Sequence, residues 1–211
     1  MIAAIVAARG GLAVALVEKL PLPGRKLKAS GGGRCNLSNT LVPEAFIKSF
    51  GRNGKFMIPA LKAFDQSCLI SFMSEIGVSI HAPDGFHYFP VSHDSTTVLE
   101  AMAKEIEKSG VSLLCGKMVK SLKCNDDRSF SVKAGKEELQ AKAVIVATGG
   151  CGYPSLGGGF EGFEIVSNLG HKIVKPVPAM QPLLCRETWV ANCRADTIGK
   201  AVLRINLPAY Q

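Results

Sequence analysis

No stretch of this 211-residue chain is apolar for long enough to span a bilayer. The opening "MIAAIVAARGGLAVALVEK" comes nearest, but Arg9 sits near its middle and Gly10–Gly11 breaks it. It also lacks a basic leader and a small-residue cleavage site, so it does not read as a signal peptide. A cytoplasmic location without a membrane partner is expected. The seven cysteines (Cys35, Cys68, Cys115, Cys124, Cys151, Cys185 and Cys193) form no CxxC pair, and the four histidines do not join them at zinc-ligand spacing. That argues against a structural zinc module and predicts reduced thiols and no metal. Internal repeats and low-complexity tracts are absent. No GxxxxGK[ST] occurs, which excludes a P-loop. Aromatic residues make up 7% of the chain and do not interleave with its basic residues. With no recognisable nucleic-acid module either, a nucleic-acid partner is not expected.

Basic charge, by contrast, is plentiful. The formal net charge is +8, and between Gly24 and Lys62 eight lysines and arginines face Glu44 alone. Much of this is solvated surface, but a phosphate-bearing small ligand accounts best for the part around the glycines at 31–33. With 47% hydrophobic residues, the chain is able to bury a core.

The pattern predicts a helix over "IAAIVAAR" capped by the Gly10–Gly11 pair. The apolar run "LAVALVE" follows as a parallel strand covered on both faces and ending on Glu18. Residues 19–39 read as a long loop and 43–77 as helical pieces. "GVSIHAPDGFHYFPVS" reads as short strands around an Asp84–Gly85 turn. "TTVLEAMAKEIEKSG" is the clearest helix, with Val98, Met102 and Ile106 on one face, a solvated charged face and a Gly110 stop. Short strands are expected at 111–115, 118–123, 129–134 and 138–141. A second fully apolar strand, "KAVIVATGG", comes next, then a helix near 160–169 and a strand at 172–174. A domain boundary is placed near 175–178.

Three features carry chemistry. An acid ending the second strand of a dinucleotide-binding βαβ unit accepts hydrogen bonds from ribose hydroxyls, and Glu18 stands at such a strand end. The helix before it should open on a GxGxxG loop, and counting back about 20 residues from Glu18 passes the start of the chain. Thr148-Gly149-Gly150 puts small residues at the end of an apolar strand, where backbone can approach a flat cofactor; a plain strand-to-turn glycine pair is the equal alternative. In "SGGGRCN", glycines expose N–H groups to an anion, Arg34 adds a permanent charge and Asn36 an amide. Cys35 lacks a histidine base, so a packed side chain is preferred to a nucleophile. His87, Tyr88 and Tyr153 are candidate substrate-side groups, although core residues of these types are commoner.

Taken in order, "VEK" (17–19), "GRKLKASGGGRCNLSN" (24–39), "FPVS" (89–92), "ATGG" (147–150) and "LGHKIVKPVPAMQPL" (169–183) resemble the bacterial NAD(P)/FAD-dependent oxidoreductase family. That family includes aminoacetone oxidase family enzymes and 3-dehydro-bile acid reductase-like flavoproteins. The resemblance implies an α/β fold: a Rossmann-like, glutathione-reductase-type FAD-binding domain with a parallel sheet and a β-meander, over residues 1–177. The start of a mostly β inserted domain would occupy 178–211. It implies that Glu18, with Lys19 beside it, lies at the adenosine ribose. Arg25, Lys26, Ser30, Gly31, Gly32, Gly33, Arg34, Cys35 and Asn36 would line the cofactor cleft, with Thr148, Gly149 and Gly150 against the FAD. NAD(P)H would be the reductant and a small organic molecule the substrate. The family's N-terminal GGGAAG-type loop has no counterpart here, and Phe160 and Glu161 depart from its Gly-Ser-Thr-Gly-Asp-Gly-like run. A chain incomplete at both ends is therefore expected, with a non-catalytic nucleotide-binding remnant as the alternative to a flavoenzyme.

Overall fold

A computed structural model describes residues 1–177, 186–189 and 202. The chain divides into one unit over Met1–Ile173 and a second from Val174 onward. The β-rich domain expected from residue 178 lies almost wholly outside the described residues.

Helix α1 (Ile2–Arg9) ends where the sequence places its glycines. Gly11, at φ +83°, takes the left-handed conformation that closes the helix, and the N–H of Leu12 returns to the Ala7 carbonyl. Strand β1 (Ala15–Val17) then runs parallel to β5 (Ser112–Leu114), pairing Ala15 with Ser112 and Val17 with Leu114. Its cover is thinner than an apolar run predicts: Ala15 is exposed, and among the described residues β1 pairs on one side only.

The expected loop at 19–39 contains more order than its Pro–Gly composition suggests. Helix α2 (Arg25–Ala29) starts after Gly24 at φ +83°, and a 3-10 turn follows over Ser30–Gly33. A β-carbon on Gly24 would run into the Leu99 side chain, so this glycine is what allows α2 to approach helix α6 (Ser95–Lys108). Strand β2 (Ser38–Asn39) pairs with β4 (His87–Pro90), which also pairs with β3 (Ile80–His81), giving a small antiparallel sheet ordered β2-β4-β3. Helices α3 (Pro43–Ser49), α4 (Ile58–Ala63) and α5 (Gln66–Glu75) fill the helical region.

Helix α6 follows its sequence pattern. Asp94 caps it by accepting from the Thr96 N–H at 2.8 Å, and Gly110 at φ +71° ends it. Val98, Met102 and Ile106 are buried against Ile5, Phe72, Met73, Val78 and Cys35 in the main core. Truncating Met102 to alanine there costs about 2–5 kcal/mol. Its polar face is not wholly solvated, however: Glu105 is only 6% exposed. Arg9 explains the burial, since its guanidinium bonds the Glu105 carboxylate at 2.8–2.9 Å and reaches Glu75 at 2.9 Å.

Strands β6 (Val119–Cys124), β7 (Phe130–Ala134) and β8 (Glu137–Ala141) form the antiparallel meander, in that order. Leu122 and Val132 of the meander pack with Ile165 of helix α7 (Glu161–Asn168) in a second, smaller core. Two expected strands have no partner among the described residues. Residues 143–150 are unpaired there, leaving Ile145 69% exposed while Val144 packs into the smaller core. Residues 172–174 are likewise unpaired among the described residues. Apolar, β-branched sequence favours an extended chain, but a strand needs a neighbour for its N–H and C=O groups.

Candidate functional site

The site lies at the edge where the parallel strands β1 and β5 reach their carboxyl ends. In open α/β sheets this is where ligands bind. Glu18 continues the ladder past β1, its N–H donating to the Leu114 carbonyl at 2.9 Å while its own carbonyl accepts from the Lys117 N–H at 3.0 Å. One carboxylate oxygen accepts from the Leu20 N–H at 2.9 Å, which holds the half-buried side chain at the strand end. The second oxygen has no hydrogen-bond or ion-pair partner among the described residues. The α1 N-terminus opens toward the same place: burial lowers the pKa of the Met1 α-amine, and the Glu18 charge opposes that shift.

The motifs that sequence spacing left far apart meet here. Lys26, on α2, donates from Nζ to the Gly150 carbonyl at 2.9 Å, tying the glycine-rich segment to Thr148–Gly150. Gly162, near the start of α7, lies under Thr148 so closely that a β-carbon would collide with the threonine hydroxyl. Lys19 pairs with Glu161 at 2.9 Å, and this lysine holds the Glu161 carboxyl below its ordinary range. Glu161, a departure from the family pattern, thus anchors the residue after Glu18 to α7.

Gly31, Gly32 and Gly33 have φ of +59°, +65° and +89°, a left-handed run that side chains resist. Gly32 and Gly33 face open space, whereas a β-carbon on Gly31 would stand 2.8 Å from the Phe89 ring and 2.9 Å from the Asn36 nitrogen. Ser30 spends its hydroxyl on the Leu27 carbonyl at 2.8 Å. Arg34 donates from Nε to Gly31 O at 3.2 Å and lays its guanidinium over the Phe89 ring at 4.5 Å, leaving its terminal nitrogens toward solvent. Arg25 is exposed on α2. Cys35 is fully buried in the main core, and burial pushes its thiol pKa up. Its side chain supports the turn from beneath and offers no surface to a ligand.

Gly31, Arg34 and Asn36 line an open cleft of about 480 Å³. Pro83, Asp84, His87, Phe89 and His93 complete its lining. Asp84 accepts from the Phe86 and His87 N–H groups at 2.9 and 2.7 Å, and its second oxygen meets His87 Nδ1 at 2.6 Å. These donors, the His87 ring foremost, hold the Asp84 carboxyl far below the usual carboxylate range. Nε2 of His81 and Nε2 of His93 are 2.9 Å apart. Of the other substrate-side candidates, Tyr88 is half-buried on β4 and Tyr153 stands exposed away from these residues' hydrogen bonds. Sequence spacing marks Asp84 only as a turn residue; an acid three places before a histidine across an Asp-Gly turn is the signal for the pair. Nothing in the spacing brings His81 and His93 together.

Fold and edge site together define a Rossmann domain whose candidate ligand lies across the strand ends. The HI0933-like protein Rossmann domain model matches residues 1–201, and the chain belongs to that family. The chain is 31% identical over 208 residues to the 3-dehydro-bile acid delta(4,6)-reductase of Clostridium scindens, covering 96% of this chain and 50% of that protein. It is 29% identical over 204 residues to the ribosomal RNA dihydrouridine synthase of Haemophilus influenzae, covering 95% and 48% respectively. It thus spans about half the length of these relatives. Among solved structures, THI4 of Thermovibrio ammonificans aligns with a TM-score of 0.48 at 13% identity, over 81% of this chain and 58% of that one.

Proposed function

We propose that this chain is the FAD-binding part of an oxidoreductase that reduces a carbon–carbon double bond conjugated to a carbonyl. The observation that carries the reading is the Lys26 bond to Gly150, which ties the glycine-rich segment to Thr148–Gly150, with the Lys19–Glu161 pair holding the residue after Glu18 to α7. The residues suit the cofactor. Open space over Gly32 and Gly33 admits a flat or phosphate-bearing group against bare backbone, and Arg25, Lys26 and Arg34 complement a pyrophosphate. The unpartnered Glu18 oxygen suits a ribose diol. When bound, the flavin supplies two-electron chemistry; this chain's residues position it and set the local charge.

The names of the two relatives narrow the substrate by shared chemistry. A 3-oxo-steroid double bond and the uracil double bond of a ribosomal RNA are both conjugated to a carbonyl. A small organic enone is the reading favoured here, with NAD(P)H as the electron source. RNA is the second reading, since the +8 net charge gives it electrostatic support and the lack of interleaved aromatics does not exclude a single flipped base. The five free cysteines among the described residues accord with the reducing cytoplasm. Anaerobic incubation with FAD, NADPH and cyclohexenone tests the reading, with loss of enone absorbance expected. Dihydrouridine formation in a uridine-containing RNA, with cyclohexenone untouched, would favour the second reading; flavin that stays oxidised with both would overturn the first and the second.

A further inference from the structure

Beyond the sheet edge, the most developed chemistry lies in the 480 Å³ cleft, which Asp84 and His87 line together with Arg34 and Gly31. Asp84 is held by two backbone N–H groups and directs its second oxygen to His87 Nδ1. That bond fixes the ring's tautomer: Nδ1 carries the hydrogen, and Nε2 is left as the basic position. No hydrogen bond occupies Nε2 among the described residues, and the ring packs edge-on to Phe86 at 4.8 Å between centroids, which fixes its plane. A histidine oriented by a carboxylate with its outer nitrogen free in a cleft is built to move a proton.

We propose that His87 is the proton donor to the substrate, oriented by Asp84 as a positioning residue; this rests on the flavin reading above. Reduction of the conjugated double bond needs a hydride at the β-carbon, from the reduced flavin, and a proton at the α-carbon. The Nε2–H bond of protonated His87 breaks, and the electron pair of the forming enolate takes that proton to make the α C–H bond. Neutral His87 then regains a proton from water. The substrate ends reduced by two electrons, the flavin oxidised by two, and NAD(P)H restores it. The charged and titratable groups facing His87 are Asp84, Arg34 and His93, with His81 behind His93.

The test uses the full chain with FAD, in wild type, His87→Gln and Asp84→Asn forms, and two probes. p-Nitrophenol mimics the enolate and reports binding through its own absorbance, with or without flavin. Cyclohexenone reports re-oxidation of dithionite-reduced protein. The proposal expects His87→Gln to keep its FAD but to bind p-nitrophenol about tenfold more weakly, and to re-oxidise with cyclohexenone about 100-fold more slowly. Asp84→Asn should shift the pH profile of re-oxidation, which a merely structural role would not do. His87→Gln matching wild type in both assays overturns the proposal, as does a wild type that holds FAD but neither binds the phenol nor reacts. Failure of the wild type to hold FAD instead removes the flavin reading, and with it the donor role, while p-nitrophenol binding would still show whether the cleft takes a ligand.

Discussion

Lys26 Nζ and the Gly150 carbonyl, 124 residues apart in the chain, are joined by a 2.9 Å hydrogen bond. Through it the basic, glycine-rich turn and the second glycine pair become two sides of one edge site. Lys26→Met removes the charge and the tie together. Because the bond is exposed, the expected loss is about 1 kcal/mol, or roughly fivefold in FAD affinity, by flavin fluorescence titration. Unfolding midpoints should hardly move.

Gly31 and Gly32 share a left-handed backbone but differ in surroundings. Gly32→Ala meets open space and pays only the conformational cost, about 1–2 kcal/mol. Gly31→Ala also presses on Phe89 and the Asn36 backbone, raising the cost to about 2–4 kcal/mol. Urea denaturation of the two variants separates them, and the reverse order would contradict the described turn.

Glu105 supplies a pH-dependent prediction. Its bonds to Arg9 lower its carboxyl from the ordinary value of 4.5. A depressed carboxylate contributes stability that is full above the unfolded pKa and is lost as pH falls through the folded value. Wild-type stability should therefore fall below about pH 4.5, and Glu105→Gln should flatten that fall. At neutral pH the variant should be less stable by roughly 1–3 kcal/mol, discounted for the partial exposure of Arg9. Urea midpoints at pH 7 and pH 3.5 check both.

Helix α6 and the meander are legible in sequence because their signals are local: apolar recurrence at helical spacing, a Gly stop, and short runs divided by turns. Glu18 is legible for the same reason, as an acid at the end of an apolar run. What sequence spacing does not carry is partnership. "KAVIVATGG" has strand composition yet no neighbour among the described residues, and Glu105 has surface composition yet is buried because Arg9, on another helix, reaches it. The Asp84–His87 pair lies between these cases, local in sequence but given its chemical meaning only by the cleft it lines.

Thiol reactivity distinguishes the two environments of cysteine. Cys35 is fully buried with a raised pKa, whereas Cys68 and Cys124 are exposed. Brief treatment of native protein with iodoacetamide, followed by peptide mapping, should modify Cys68 and Cys124 and spare Cys35. Fast labelling of Cys35 would place its side chain in the cleft rather than in the core.

Retention of FAD tests the central claim most directly. Protein mixed with FAD and passed through gel filtration should carry flavin absorbance at a ratio near one per chain, and Glu18→Ala should lower the retained fraction without changing the elution volume. Flavin that elutes wholly apart from the wild-type chain would contradict the account of this edge as a flavin site.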